Sequence, residues 1–492
     1  MSDTGGRVPP DLRVSSRAGR LLLLATIAGS GIAFLDTSVV NVALPKIGAD
    51  LGGGFATVQW VVDGYLLTLG ALVLVGGALG DLLGKRRVFV AGLLLFGSAS
   101  VACGLAPTAW ALIGARLVQG VGAALLVPGS LAILSEVFSG AERGKAIGAW
   151  SGLAGVFTAL GPFVGGLLVD SGPSGWRWVF LVNVPLIAGA VWLAMVGVPD
   201  LPGTRTSAPL AGQVDVLGGL LTVIGLGLVV GPLIEYARIG AGPAIALLVL
   251  GVVVLAGFVQ VERHRSRTLH PPPMLPLTLF GFRGFNVANI VTFVVYGALG
   301  AGMLLVTVVL QVGLGYSALQ AGAAGLPITV LLAALSSRVG GLVPKVGARP
   351  LLTGGCAGMA VGLVLLARIG PESGYLTGVL PAICVFGLGL SLVVAPVTTT
   401  ALGDVAGRQA GAASGVNNAV ARIGSLVAIA LLPLLGGLSG GGVAGTTAFF
   451  DAYSSTQLWG AGLCAAAAAI SWFGFTADTA RSPRAPSAGT VP

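Results

Sequence analysis

Charge is what this 492-residue chain has least of. Asp, Glu, Lys and Arg together make up 9 % of it, against about 25 % in an ordinary globular protein. So few charged groups cannot cover a water-soluble body of this size. Histidine occurs twice and cysteine four times. Cys103, Cys356, Cys384 and Cys464 fall in apolar stretches and read as small core residues, leaving no disulfide framework and no C-x-x-C metal pair. His264 and His270 stand beside prolines and arginines and read as solvated loop residues, not ligands. No metal and no cofactor is expected. A cleavable leader is not expected either, because about 20 polar, Arg-containing residues precede a full-length apolar run.

What the chain has in quantity is apolar sequence, 55 % of residues, with a mean hydropathy of +0.97. A spanning helix needs roughly 20 mainly apolar residues. Fourteen stretches qualify, near 21–44, 57–76, 88–106, 109–134, 145–169, 178–198, 216–234, 243–261, 285–312, 317–337, 350–369, 375–402, 409–435 and 457–475. They are continuous and lack the alternation of a membrane barrel, so the expected fold is all-α and polytopic. Basic residues set the orientation. With the N-terminus inside, 20 of the 26 Lys and Arg lie on cytoplasmic segments and four outside, while Arg116 and Arg422 lie within spans. Both termini are therefore expected in the cytoplasm. The net charge of +9 is read as this topology signal and not as a nucleic-acid surface.

Catalytic signatures are missing. A phosphate-binding G-x-x-x-x-G-K-[ST] loop fails at both Gly-Lys pairs: Leu79 and Ser139 replace the first glycine, and Arg86 and Ala146 replace Ser/Thr. Two histidines are too few to supply a buried base. The chain is not expected to be an enzyme or an ATP-driven pump.

The informative residues are the ionisable ones inside spans, each costing at least about 2.5–3.5 kcal/mol to insert. Helix rise puts Asp36 about 24 Å in from the cytoplasmic side, Asp63 about 9 Å below the outer surface and Arg116 about 10 Å below it. All three fall in one outer layer, which favours a carboxylate–guanidinium cluster. Pairing favours the charged carboxylate and burial disfavours it, so a small rearrangement can move a proton. Arg422 reads equally well as structural or cavity-facing.

Motifs then give the chain a likeness. FLDTSVVNVALP (34–45), with Asp36 and Asn41, and LIGARLVQGVGAA (112–124), with Arg116 and Gln119 on one helix face, resemble the 14-span drug:proton antiporter branch of the major facilitator superfamily. GALGDLLGKRR (77–87) is similar to the superfamily's loop after the second span. Gly77, Asp81, Gly84, Lys85 and Arg86 match, and Leu82 replaces an expected Arg. GPFVGG (161–166), with Gly161, Pro162, Gly165 and Gly166, resembles the antiporter motif, although Phe157 stands where the longer pattern has glycine. WRWVFLVNVP (176–185), LQVGLGYSALQAGAAGLP (310–327) and GAASGVNNAVARIGSLVAIALL (411–432) extend the likeness.

The resemblance implies six-helix bundles at 21–198 and 285–475. Two inserted helices occupy 199–261, a cytoplasmic linker 262–284, and cytoplasmic tails 1–20 and 476–492. It implies export of amphipathic, cationic drug-like compounds by proton antiport with alternating access, from a monomer in the cell membrane, powered by the proton gradient. Asp36, Asp63 and Arg116 would handle the proton. Asn41, Trp60, Tyr65, Gln119, Phe293, Tyr296, Asn417 and Arg422 would line the cavity. Asp81, Lys85 and Glu136 would close the cytoplasmic side. Two alternatives stay open: a dedicated exporter of one metabolite, antibiotic or lipid, and a non-transporting membrane partner or receptor.

Overall fold

A computed structural model describes residues 12–200, 203, 213–268, 272–403, 405, 409–438 and 446–475. His270 and most of both expected tails lie outside these residues. Thirteen described helices are long and apolar enough to cross a membrane. They are α1 (Arg17–Leu51), α2 (Gly54–Leu83), α3 (Lys85–Gly104), α4 (Ala109–Val137), α5 (Gly140–Val169), α6 (Gly175–Gly197), α7 (Val216–Ile234), α8 (Ala241–Thr268), α9 (Arg283–Gly313), α10 (Ala318–Val346), α11 (Ala348–Leu366), α12 (Tyr375–Gly403) and α13 (Gly411–Gly436). A further helix of 28 residues, α14 (Thr447–Gly474), packs against α11, α9 and α13. No strand occurs among the described residues.

Successive helices run in opposite directions, so the start of α1 and the end of α14 share one face, called here the terminal face. Arg283, opening α9, donates from Nε to the Gly474 carbonyl at the end of α14 (3.0 Å). On the opposite, far face, Gly52, Gly53 and Gly54 all take positive φ, the conformation that lets α1 reverse into α2 without a cap residue.

Helix ends differ from the apolar runs in one instructive place. The expected linker began at residue 262, yet α8 continues to Thr268. ERHRSR marks where the helix leaves the apolar layer, not where its hydrogen bonding stops, because Glu, Arg and Lys are good helix formers. His264 is therefore an exposed residue on the last turns of a helix and not a loop residue.

Among the described helices, α1 packs against α5 and α6, and α4 against α2 and α3. In the second half, α9 packs against α13 and α14, and α11 against α12 and α14. α7 lies on α2 and α13, and α8 rests almost entirely on α7, exposing Ile245, Val249, Val252 and Val253. The halves meet along two seams, α2 with α13 and α5 with α10.

The seams differ. In α2–α13, Gln59 donates to the Ile429 carbonyl (2.7 Å) near the far face. The contact continues past Gly70, which abuts Arg422, to Gly415 against Leu74. In α5–α10 the far-face end is tight: a Cβ on Gly166 would lie 2.3 Å from the Leu319 Cα, and one on Gly322 2.4 Å from the Pro162 oxygen. Asp170 adds two bonds, accepting from the amides of Ala318 (3.2 Å) and Leu319 (3.0 Å). Toward the terminal face the same side of α5 is bare. At 100° per residue, Gly148 and Gly155 project with Pro162 and Gly166, yet a Cβ on either would meet nothing within 4 Å. On the α5–α10 flank the halves are thus sealed at the far face and parted toward the terminal face.

Candidate functional site

The centre of the first half is a buried polar network around Asp36. Asp36 is fully buried and Arg116 is 1 % exposed. Arg116 donates from Nη1 to Asp36 Oδ2 at 2.6 Å and from Nε to the Val61 carbonyl at 3.0 Å. Gln119, one turn on, donates to Asp36 Oδ1 (2.9 Å) and accepts from Arg116 Nη1 (2.7 Å). Two residues outside the expected site set complete the site, one of them within WRWVFLVNVP (176–185). Asn183 of α6 donates to Asp36 Oδ1 (2.8 Å) and to Ser100 Oγ of α3 (3.0 Å). Ser100 also accepts from Gln119 (3.2 Å) and donates to the Phe180 carbonyl (3.0 Å). Cys103, expected only to fill space, donates to Gln119 Oε1 (3.6 Å).

Asp36 thus accepts three hydrogen bonds from three side chains on two helices, and Arg116 lies 4.4 Å from the Tyr65 ring centroid. Charge-assisted bonds of this kind offset much of the cost of burying the pair. Asn183 could have been noticed as an amide inside the apolar run of span 6. A neutral residue raises no insertion alarm, and reasoning from charge alone passed it by.

Asp63 does not join this cluster, contrary to the expectation from depth. It is fully buried, and neither carboxyl oxygen has a hydrogen-bond partner. The level was right but the azimuth was not. Val61 and Tyr65 face Arg116, and Asp63, two residues from each, points about 200° away. Gln59, one turn earlier on that other face, reaches α13, and Trp60 reaches the end of α7.

The other expected cavity residues divide. Tyr65 and Gln119 are packed inside the network, with no surface to offer a ligand. Trp60 donates to Glu235 Oε1 (2.9 Å) at the far face, because the inserted helix α7 covers that side of α2. Asn41 is half-buried on α1. Asn417 donates to Thr292 (2.9 Å) and Asn289 (3.2 Å), tying α13 to α9. Phe293 is exposed and lines an apolar hollow of about 480 Å³ with Ile290, Phe280 and Val420.

Arg422 and Tyr296 are half-buried where α1, α2, α9 and α13 meet, on the parted side of the seal. The Arg422 guanidinium carbon is 6.0 Å from the Phe34 ring centroid. Phe34 and Trp150 meet edge-on at 6.5 Å. Phe34 and Asp36 lie two residues apart, so α1 turns an aromatic ring toward Arg422 and the space where the halves part, called here the vestibule, and a carboxylate into the bundle.

At the terminal face Lys85 bridges Asp81 (3.2 Å) and Glu136, joining α2, α3 and α4. Gly84 makes this possible with φ of 98°, a turn a side chain would strain. Arg86 turns away, donating to the Met195 carbonyl (2.7 Å). Leu82 is buried under the bend. Gly161 and Gly165 bring α5 onto α1: their Cβ positions would meet Ser38 and the Val39 oxygen at 2.3 and 2.9 Å. Gly77 packs beside Pro128 of α4.

The model of the Major Facilitator Superfamily matches residues 26–429. The chain belongs to that superfamily. Its relatives are named for transport or for drug resistance. The probable actinorhodin transporter of Streptomyces coelicolor is 36 % identical over 85 % of this chain and 72 % of its own length. The multidrug resistance protein Stp of Mycobacterium tuberculosis is 38 % identical over 85 % of this chain and 76 % of its own. The puromycin resistance protein of Streptomyces alboniger is 37 % identical over 83 % and 80 %. Among solved structures, a D-xylose–proton symporter superposes with a TM-score of 0.66 over 94 % of this chain and 99 % of its own, at 16 % identity, which shows the fold alone. This superfamily member is therefore a multi-pass membrane transporter and not an enzyme. The receptor reading falls with that result.

Proposed function

We propose that this transporter exports amphipathic drug-like compounds from the cytoplasm in exchange for protons, alternating between faces. The observation that carries the reading is the Asp36–Arg116 pair. It is an ionisable carboxylate buried in a membrane bundle, held only by side chains, on the helix that also lines the open vestibule. Protonating Asp36 releases Arg116 and frees α1 to shift Phe34. A proton taken up from outside would thereby reset the vestibule for a new substrate.

The rest of the expected organisation belongs to this proposal. Fourteen spans place both termini in the cytoplasm of a cell-membrane protein, which makes the terminal face cytoplasmic and the present conformation open inward. Two six-helix bundles, 21–198 and 285–475, move against each other, with 199–261 inserted between them. A monomer suffices, and the proton gradient supplies the energy without a cofactor. One proton entering down about 100 mV releases about 2.3 kcal/mol. A pH unit adds about 1.4 kcal/mol, together enough for roughly several-hundredfold export of a neutral compound.

The resemblance implies cationic substrates, which carboxylates lining the cavity would favour. Asp36 and Asp63 are both fully buried and offer no charge to the vestibule in this conformation. A second reading, export of a single antibiotic, is favoured by relatives named for actinorhodin, puromycin and methylenomycin A.

The test uses purified protein in vesicles with an imposed pH gradient and a panel of relatives' antibiotics and dyes. Substrate-dependent proton flux is expected from the native chain and not from Asp36→Asn. Substrate movement without proton flux would refute antiport, and one moving compound among many would favour the second reading.

A further inference from the structure

Donors without acceptors gather at the vestibule. Arg422 lies within a spanning helix, yet no carboxylate or carbonyl partner is paired with it among the described residues. The Trp150 Nε1 atom is buried and likewise has no acceptor. Both side chains border one ring, Phe34: the guanidinium carbon at 6.0 Å from its centroid, the indole at 6.5 Å. They come from opposite halves, Trp150 from α5 and Arg422 from α13, and the half-buried Tyr296 stands near Arg422. Neither of the buried carboxyls of α1 and α2 is bonded to them. Asp36 is held by Arg116, Gln119 and Asn183. Asp63 sits on the face of α2 turned toward α13 and α7, with no bond to Arg422. A guanidinium in a span without a partner is costly, and its fork geometry matches carboxylate-like groups.

We infer that this vestibule recognises the anionic group of an amphipathic aromatic acid, which takes its ion pair from Arg422 and a second hydrogen bond from the Trp150 indole, with its ring against Phe34. The inference rests on the export reading above and names the substrate class for it. It reverses the cationic expectation. Because the two donors belong to different halves, one bound anion ties α5 to α13 and favours closing the parted side. Export of a monovalent anion against entering protons moves net positive charge inward at every stoichiometry, whereas one-for-one exchange of a monovalent cation is electroneutral.

Fluorescein, ethidium and an uncharged rhodol ester of similar size serve as probes. Binding to the full-length detergent-solubilised protein is measured by anisotropy, and transport in vesicles with a potassium diffusion potential. Fluorescein is expected to bind more tightly than ethidium, and its export to accelerate when the interior is negative. Arg422→Gln should weaken fluorescein binding roughly tenfold to a hundredfold and leave the ester within about twofold. Arg422→Lys should restore part of the loss, and Trp150→Phe, which keeps the ring, should cost fluorescein several-fold. Tighter binding of ethidium than fluorescein, no fluorescein binding, or equal fluorescein affinity in Arg422→Gln would each overturn the inference. Asp36→Asn in the same vesicles separates the two readings. Loss of pH-driven movement with intact fluorescein binding tests antiport alone, and the binding series tests the anion site alone.

Discussion

Asn183 and Asp36 are 147 positions apart in the chain, and the Asn183 amide lies 2.8 Å from the Asp36 carboxylate. The same amide holds Ser100, so α1, α3 and α6 converge on one buried charge. The Asp36 carboxylate is therefore fixed by neutral groups as well as by its ion partner.

Replacing Asn183 by Leu should expose the role of that neutral support. It removes one bond to a buried charge, and the folded protein should lose about 1–3 kcal/mol. Thermal unfolding in detergent measures the loss, and vesicle assays should show slowed proton-coupled export. Unchanged stability and transport would mean that Arg116 and Gln119 alone fix the site.

For Asp36→Asn, size and hydrogen bonding are kept and only the titrating group is lost. Export against a gradient should stop, and substrate exchange without net transport should persist. Uphill export at the normal rate would move the coupling role to Asp63, the fully buried carboxyl of α2.

The far-face seal can be opened selectively. Asp170→Ala removes two bonds to the start of α10, at a cost near that of a helix cap, about 1 kcal/mol. A several-fold rise in far-face accessibility of a reporter cysteine at Leu319 is expected. Gly166→Ala should act more strongly, since its Cβ would strike backbone and not a flexible side chain. Equal labelling in all three proteins would rule out the seal.

Asp81→Asn weakens the bridge that Lys85 makes between α2 and α4. Turnover should fall several-fold while substrate affinity holds. Because Leu82 supplies no second cation, Glu136 keeps part of the latch, and the double variant Asp81→Asn, Glu136→Gln should be slower still. A rate equal to the native one would reduce the loop to an orientation signal.

Orientation has its own test. In intact cells an impermeant thiol reagent should label Ser171→Cys, beyond the end of α5, and spare Ser139→Cys, before its start. The reverse pattern would invert the topology.

Sequence and structure agree most closely where the physics is local. A run of apolar residues names its own helix, and Arg116 and Gln119, three residues apart, share a face whatever surrounds them. Depth was also legible, because rise per residue is fixed. Azimuth was not, and Asp63 shows why: matching height says nothing about which neighbour a helix face meets. Trp60 shows the same limit, since only the tertiary placement of α7 decides that it faces Glu235. Arg422 could be located from sequence, but its want of a partner appears only once every nearby acceptor has been placed.

The two inserted helices have a consequence for how a greasy compound arrives. α7 lies along α2 from Trp60 to Val75 and also touches α13, so it roofs the seam between the halves on that flank. On the opposite flank α5 and α10 diverge toward the terminal face, with bare glycines between them. A molecule dissolved in the adjoining leaflet therefore meets a wall on one side of the protein and a doorway on the other. Sideways entry from lipid is one-handed, and the first protein surface such a molecule reaches is the flank of α5 that carries Gly148 and Gly155.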